Sequence, residues 1–300
     1  MRALRAAALV VLASALAYSV RAQWHTVGHD VQRLPWLDGV AALLLSVIGV
    51  GAAMLAWRAM LADLGSPLPP LAAAHVYSVS QVGKYLPGSV WPVLTQMELG
   101  RGFAVPRLRM ATAFFLTLLS SLAVALSAGG LVSTTIPGWG RAYALLPLCL
   151  VVLHPTLLLP LSRLASTLLR RPAVTAAPTL PGVARMVGWM ALQWTCLGMV
   201  TLLLAHGLGT HVNLLLAVGA TALSWAVGLV VIVVPAGAGV REGTLVLLLA
   251  PTTGTAHALS IALLGRLGLT LADAAFALFG LLVTRLARRR HSADEATASR

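Results

Sequence analysis

The chain reads as an all-α polytopic membrane protein: six to eight transmembrane helices, including two segments broken at proline and glycine and partly re-entrant. Three observations predict this. Of its 300 residues, 59% are hydrophobic and only 10% charged, where soluble domains carry about 25% charged residues. Several apolar runs approach or exceed the ~20 residues needed to cross a bilayer. Most of the arginines lie between and beyond those runs rather than inside them. The net charge of +13 is therefore a topology signal, and no nucleic-acid partner is expected. Cys149 and Cys196 lie in apolar runs without a CxxC pattern and read as buried thiols with no redox or metal role.

Residues 1–290 are expected to form one membrane domain. Its first half covers about 1–161, a basic, proline-rich linker covers 162–185, and the second half covers 186–290. Arg2 and Arg5 precede an apolar N-terminal run, read as an uncleaved first span rather than a signal peptide. Trp36–Trp57 is a second span, with its two tryptophans placed as interfacial anchors. Leu71–Gly100 is too dilute in apolar residues for an ordinary lipid-facing span. Strong spans resume at Leu108–Val132 and Tyr143–Leu161. After the linker come a span at Met186–Ala205, a run Val212–Val234 interrupted by VPAGAGVREG, the apolar Thr244–Ala250, and a long run from about Ala256 to Leu286. Residues 291–300 are expected to be a disordered tail.

Charge asymmetry orients the chain. The N-terminus and the segments 58–109, 163–185 and 285–300 hold sixteen basic residues, against three near 21–35 and 134–142. This predicts cytoplasmic termini and a cytoplasmic linker. Arg58 and Arg107 then share a side, so Leu71–Gly100 must enter and return on that side, as a hairpin or a surface-lying segment. If Val212–Ala250 is also a hairpin it enters from the other face. The two would form an inverted pair, the usual pointer to a midplane site in transporters. If Val212–Val234 crosses fully, there are eight crossings instead of six.

Two constellations carry chemistry. The first is Gln81, Lys84, Tyr85, Pro87, Gly88 and Trp91, with Glu98 further on. Lys84 is the only lysine among 21 basic residues, which suggests a point charge rather than a planar fork. His75, Ser78 and Gln81 share a helical face with it. Such a stripe belongs in a protein-lined cavity, unless the segment is an amphipathic surface helix with Lys84 reaching the headgroups. The second constellation is Gly237, Gly239, Arg241 and Glu242, just after Pro235. Small residues there free the backbone, and Arg241 would clamp a phosphate with Glu242 holding it in place. The alternative is a structural Arg–Glu pair closing a turn. Asp273, seven residues after Arg266, reads as its ion-pair partner, against a proton relay. The histidines show no metal-ligand spacing, no GxxxxGK[ST] is present, and neither cofactor nor metal is expected.

Gly83-Lys84-Tyr85, Pro87-Gly88 and the later Pro235, Gly237, Gly239, Arg241-Glu242 resemble the paired signature of the lysylphosphatidylglycerol synthase/flippase membrane-domain family. The chain departs from it at Ala238, where a second glycine is common. The resemblance implies a flippase-like protein of the plasma (inner) membrane. It would move an anionic lipid between leaflets, such as an aminoacyl-phosphatidylglycerol or a polyprenyl-phosphate-linked sugar. Lys84 and Arg241 would bind the phosphate, Gln81 and Tyr85 would support the headgroup, and Glu98 and Glu242 would orient the cations. Any lipid synthase or glycosyltransferase would be a separate polypeptide. A lipid-phosphate transferase using Glu98 or Glu242 as base, or a scaffold for a lipid-modifying enzyme, are the alternatives.

Overall fold

A computed structural model describes residue 30 and residues 32–85, 90–134, 178–230, 237 and 239–298, with 133–134 and 283–298 in backbone only. Among these residues the chain is wholly helical. The N-terminal run, Tyr143–Leu161, most of the linker, and Pro87, Gly88, Pro235 and Ala238 lie outside the described residues. Four helices are long and apolar enough to cross a membrane. They are α1 (Trp36–Asp63), α4 (Arg107–Gly129, continued by a 3-10 turn to Thr134), α5 (Leu180–Gly207) and the first part of α8 (Thr255–Ala298). Shorter helices fill the gaps: α2 (Pro70–Gln81), α3 (Trp91–Arg101), α6 (Leu214–Val230) and α7 (Val240–Thr253).

The frame is an antiparallel pair, α1 and α5. Asp63, at the end of α1, accepts from the backbone N–H and the hydroxyl of Thr179 at 2.6 Å each, and Thr179 in turn caps the first turn of α5. Halfway along, Gly49 lies against Leu197, and at the far end Gly207 meets Leu34 and Asp38. Small residues bring the two backbones close, the packing device of helices that have no hydrophobic drive between them in lipid. Their contact feeds a core of Trp57, Met60, Leu61, Met110, Met186, Met190 and Trp194, while Leu44, Ile48, Phe115 and Leu278 stay exposed on the outside, as lipid-facing side chains do.

Trp57 corrects an expectation. Trp36 is 73% exposed and fits an interfacial anchor, but Trp57 is 1% exposed and packs 5.7 Å from the Tyr77 ring. Alpha-helical geometry explains it: α1 continues six residues beyond Trp57 to Asp63, so this tryptophan is not at the end of its helix.

Two helical hairpins enter the bundle from opposite ends. The α2–α3 hairpin starts beside the end of α1, where Arg58 donates to the Leu68 carbonyl at 2.7 Å, and leads into α4, whose Arg109 donates to the Gly65 carbonyl and Ser66 hydroxyl. At 12 and 11 residues, α2 and α3 are each under ~20 Å long, too short to cross. Their tip is tight. A Cβ on Gly83 would stand 2.9 Å from both the Pro92 nitrogen and the Trp91 carbonyl carbon, and Gln96 donates to Ser80 at 3.1 Å across the hairpin. Of the stripe expected on α2, His75 and Ser78 are buried against α8, with His75 Nδ1–H donating to the Gly280 carbonyl at 3.1 Å.

The α6–α7 hairpin starts at the other end, after α5. Gly198 packs on Val218, Thr201 bonds Thr221 at 2.7 Å, and the Trp194 and Trp225 rings meet at 5.1 Å. Within the apolar run expected over Val212–Val234, the described residues form a helix over Leu214–Val230. Return along α7 carries Leu248 and Leu249 back into the core shared by Ala42, Val200 and Leu204. The last helix, α8, continues to Ala298, past the Leu286 at which the expected apolar run ends. The segment RLARRRHSADEATA holds no glycine or proline and is rich in strong helix formers.

Gly198→Val tests the α5–α6 contact. A Cβ at this position would stand 2.6 Å from the Val218 Cα, a backbone atom that cannot rotate away. The substitution should cost about 1–3 kcal/mol, read as a lower thermal unfolding midpoint in detergent.

Candidate functional site

Both hairpin tips end on α8. Lys84, in the 3-10 turn Val82–Tyr85, places its ammonium 2.6 Å from Asp273 Oδ2, and the neighbouring Tyr85 hydroxyl donates to the same oxygen at 2.8 Å. Two turns earlier on α8, Arg266 pairs with Glu242 of α7. Glu242 also accepts from the Gly239 N–H at 2.5 Å, closing the first turn of α7. Gly239 has φ of 79°, a conformation that costs glycine nothing and other residues strain.

These contacts revise two pairings. The expected Arg266–Asp273 pair does not form: each residue takes a partner from a different hairpin. Glu242 does not hold Arg241: one of its oxygens accepts from Arg266 and the other from the Gly239 N–H. Arg241 instead lies over the Trp225 ring, 5.7 Å from its centroid. It threads between two glycines: a Cβ on Gly228 or on Gly237 would stand 3.0 Å from its Nε. That Nε is sealed from solvent without a hydrogen-bond partner. No carboxylate pairs with this guanidinium among the described residues.

Arg241, Lys84, Gln81, Gly237 and Asp273 line one cavity of about 240 Å³, whose remaining wall is largely apolar and includes Val50, Trp57, Phe114 and Met190. A second cavity of about 110 Å³ shares Lys84, Arg241 and Trp225 with the first. Its wall carries the hydroxyls of Ser46, Tyr85, Thr201, Thr221, Ser224 and Thr270, together with Glu242 and Arg266. The two sequence motifs, 157 positions apart at Lys84 and Arg241, thus converge on one wall.

Trp91 opens α3 and packs at Gly83 without lining either cavity. Glu98 is not part of the group. It is 49% exposed at the end of α3, paired with Arg107 at 3.0 Å and Arg101 at 3.3 Å, and the hydrogen bond from Arg107 holds its carboxyl below the usual glutamate value. Expectation placed it one half-helix after the tip, but α3 carries it away from the tip to the mouth of the hairpin. Two members of the site escaped the sequence reading: Trp225 and Gly228. Trp225 and Gly228 sit inside an unbroken apolar run, where nothing distinguishes them from core residues.

A buried donor without a partner costs about 1–3 kcal/mol. Arg241→Met, which keeps the aliphatic stem between the glycines, should therefore raise the thermal midpoint in detergent. Glu242→Gln should lower it, because it strips the partner from Arg266, a loss worth about 3–5 kcal/mol when the pair is buried.

No curated protein matches the sequence. The family model of the lysylphosphatidylglycerol synthase TM region matches residues 5–277, a stretch that includes both hairpins and the part of α8 on which they meet. The chain belongs to the lysylphosphatidylglycerol synthase transmembrane-region family.

Proposed function

We propose that this chain binds the phosphate of an anionic lipid headgroup between Lys84 and Arg241 and passes that lipid between leaflets. One observation carries the reading: Arg241, paired with no carboxylate among the described residues and with its Nε unbonded, stands on the wall of a cavity that Lys84 also lines. An isolated charge inside a membrane bundle is expensive to keep, and a site that keeps one is poised for an anion. A guanidinium suits a phosphate bidentately, and a lysine adds a point charge.

In this reading the two hairpins are re-entrant, form an inverted pair, and hold the site near the bilayer midplane. Helices of 11 to 14 residues suit half-crossings better than full ones. The arginines at the mouth of the α2–α3 hairpin, Arg58, Arg101, Arg107 and Arg109, support a reading in which that mouth and both termini face the cytoplasm. The headgroup would leave water for the polar cavity wall while its chains stay in lipid. The lipid is an aminoacyl-phosphatidylglycerol or a polyprenyl-phosphate-linked sugar, supplied by a separate synthase or glycosyltransferase in the plasma membrane. A transferase reading finds less support. Both candidate bases are engaged elsewhere, Glu98 with surface arginines and Glu242 in the α7 cap and the Arg266 pair.

Reconstitution in phosphatidylcholine vesicles with trace fluorescent phosphatidylglycerol tests the proposal. Leaflet exchange, read with a membrane-impermeant quencher, should fall at least about tenfold in Arg241→Met and Lys84→Ala, since a charge-assisted contact is worth about 1.5–3 kcal/mol. Glu98→Ala should leave it unchanged. Exchange that persists in both cation variants would sink the proposal, and a covalently altered lipid would favour the transferase.

A further inference from the structure

We infer that Asp273 sets the charge selectivity of this site: it cancels Lys84 and leaves the cavities one positive charge in excess, so that they take a headgroup whose phosphate bears a single negative charge. The inference rests on the anionic-headgroup reading above and adds a rule that the reading lacks. Among the described residues, the cations lining the two cavities are Lys84, Arg241 and Arg266, and the carboxylates are Asp273 and Glu242. Glu242 is spent on Arg266 and Asp273 on Lys84. The excess charge is Arg241.

Asp273 is built to stay where it is. Its side chain is 5% exposed, and Oδ2 holds both the Lys84 ammonium and the Tyr85 hydroxyl. Lys84, 30% exposed, has three N–H groups and can share one with a phosphate without leaving Asp273. Asp273 lines the same cavity, and its Oδ1 is buried with no hydrogen-bond donor on it. Its charge therefore acts, unmasked, on any phosphate held by Lys84 and Arg241. A phosphodiester, with one charge, brings the site to neutrality. A phosphomonoester, carrying about 1.5 to 2 negative charges at pH 7, overshoots and meets the carboxylate in a medium that screens poorly.

Equilibrium binding to nanodiscs provides the test, with two probes of identical acyl chains: phosphatidylglycerol, a phosphodiester, and phosphatidic acid, a phosphomonoester. The wild type should prefer phosphatidylglycerol by about tenfold. Asp273→Asn should erase that preference by binding phosphatidic acid more tightly. The double variant Lys84→Met/Asp273→Asn removes one charge of each sign and should restore it, which a merely structural role for Asp273 would not do. An unchanged ratio in Asp273→Asn, or a wild type that prefers phosphatidic acid, overturns the inference while leaving anion binding intact. A wild type that binds neither probe overturns the parent reading and this rule with it.

Discussion

Two ion pairs on a single helix hold the described structure together at its centre. Asp273 and Arg266 lie seven residues apart on α8, about 10 Å along its axis, and each receives the tip of a different hairpin. The tips need this. A chain that turns back inside a bundle leaves backbone groups without helical partners, and lipid cannot satisfy them. Moving the tips' charges out of water costs several kcal/mol per ion, recovered only where the opposite charge waits in good geometry. Lys84 and Glu242 each meet that condition, and Tyr85 and the Gly239 N–H fill acceptor positions beside them. Docking both tips on α8 also fixes how near they come to each other. The gap between them is the pair of cavities.

Helical geometry explains which pairings the sequence suggested and the fold refused. Neighbouring residues on a helix point about 100° apart and do not face each other, so Arg241 and Glu242 leave α7 in different directions. Glu242 turns to α8 and to its own helix start. Arg241 turns to α6, into the slot left by Gly228 and Gly237 beneath Trp225. Arg266 and Asp273 share a face, as their spacing indicated, but two turns separate them by more than side chains of that size need when closer partners are present. For Arg266 and Asp273 the shared face was read correctly and the partners came from other elements; for Arg241 and Glu242 the adjacent spacing itself rules the pair out.

That distinction measures how far the sequence was legible. Apolar length alone located the helices seen at Trp36–Asp63, Arg107–Val132, Leu180–Gly207 and Thr255–Leu282, because a run of ~20 apolar residues has few other uses. The motif residues Lys84 and Arg241 were legible as isolated charges in apolar or broken surroundings. Trp57 was not, since an aromatic residue near a span end looks alike whether it anchors at the interface or fills a core. Gly228 and Trp225 were hidden for a related reason. Their role is to shape the space around a side chain from another helix, and only the folded chain brings that side chain to them.

The glycines of the two motifs follow from the charges they surround. Gly83 lets the α2–α3 tip fold so tightly that the turn carrying Lys84 reaches Asp273. Gly237, with φ of 64° and a Cβ position 2.9 Å from the Gly228 carbonyl, lets the α6–α7 tip close around the Arg241 stem. The guanidinium is thereby held without a carboxylate, by shape and by the face of Trp225. A cation fixed by packing keeps its charge available, whereas one fixed by an ion pair has already given it away. Lys84 and Arg266 are of the second kind and Arg241 of the first, and this difference, more than the number of basic residues near the cavities, gives the site its sign.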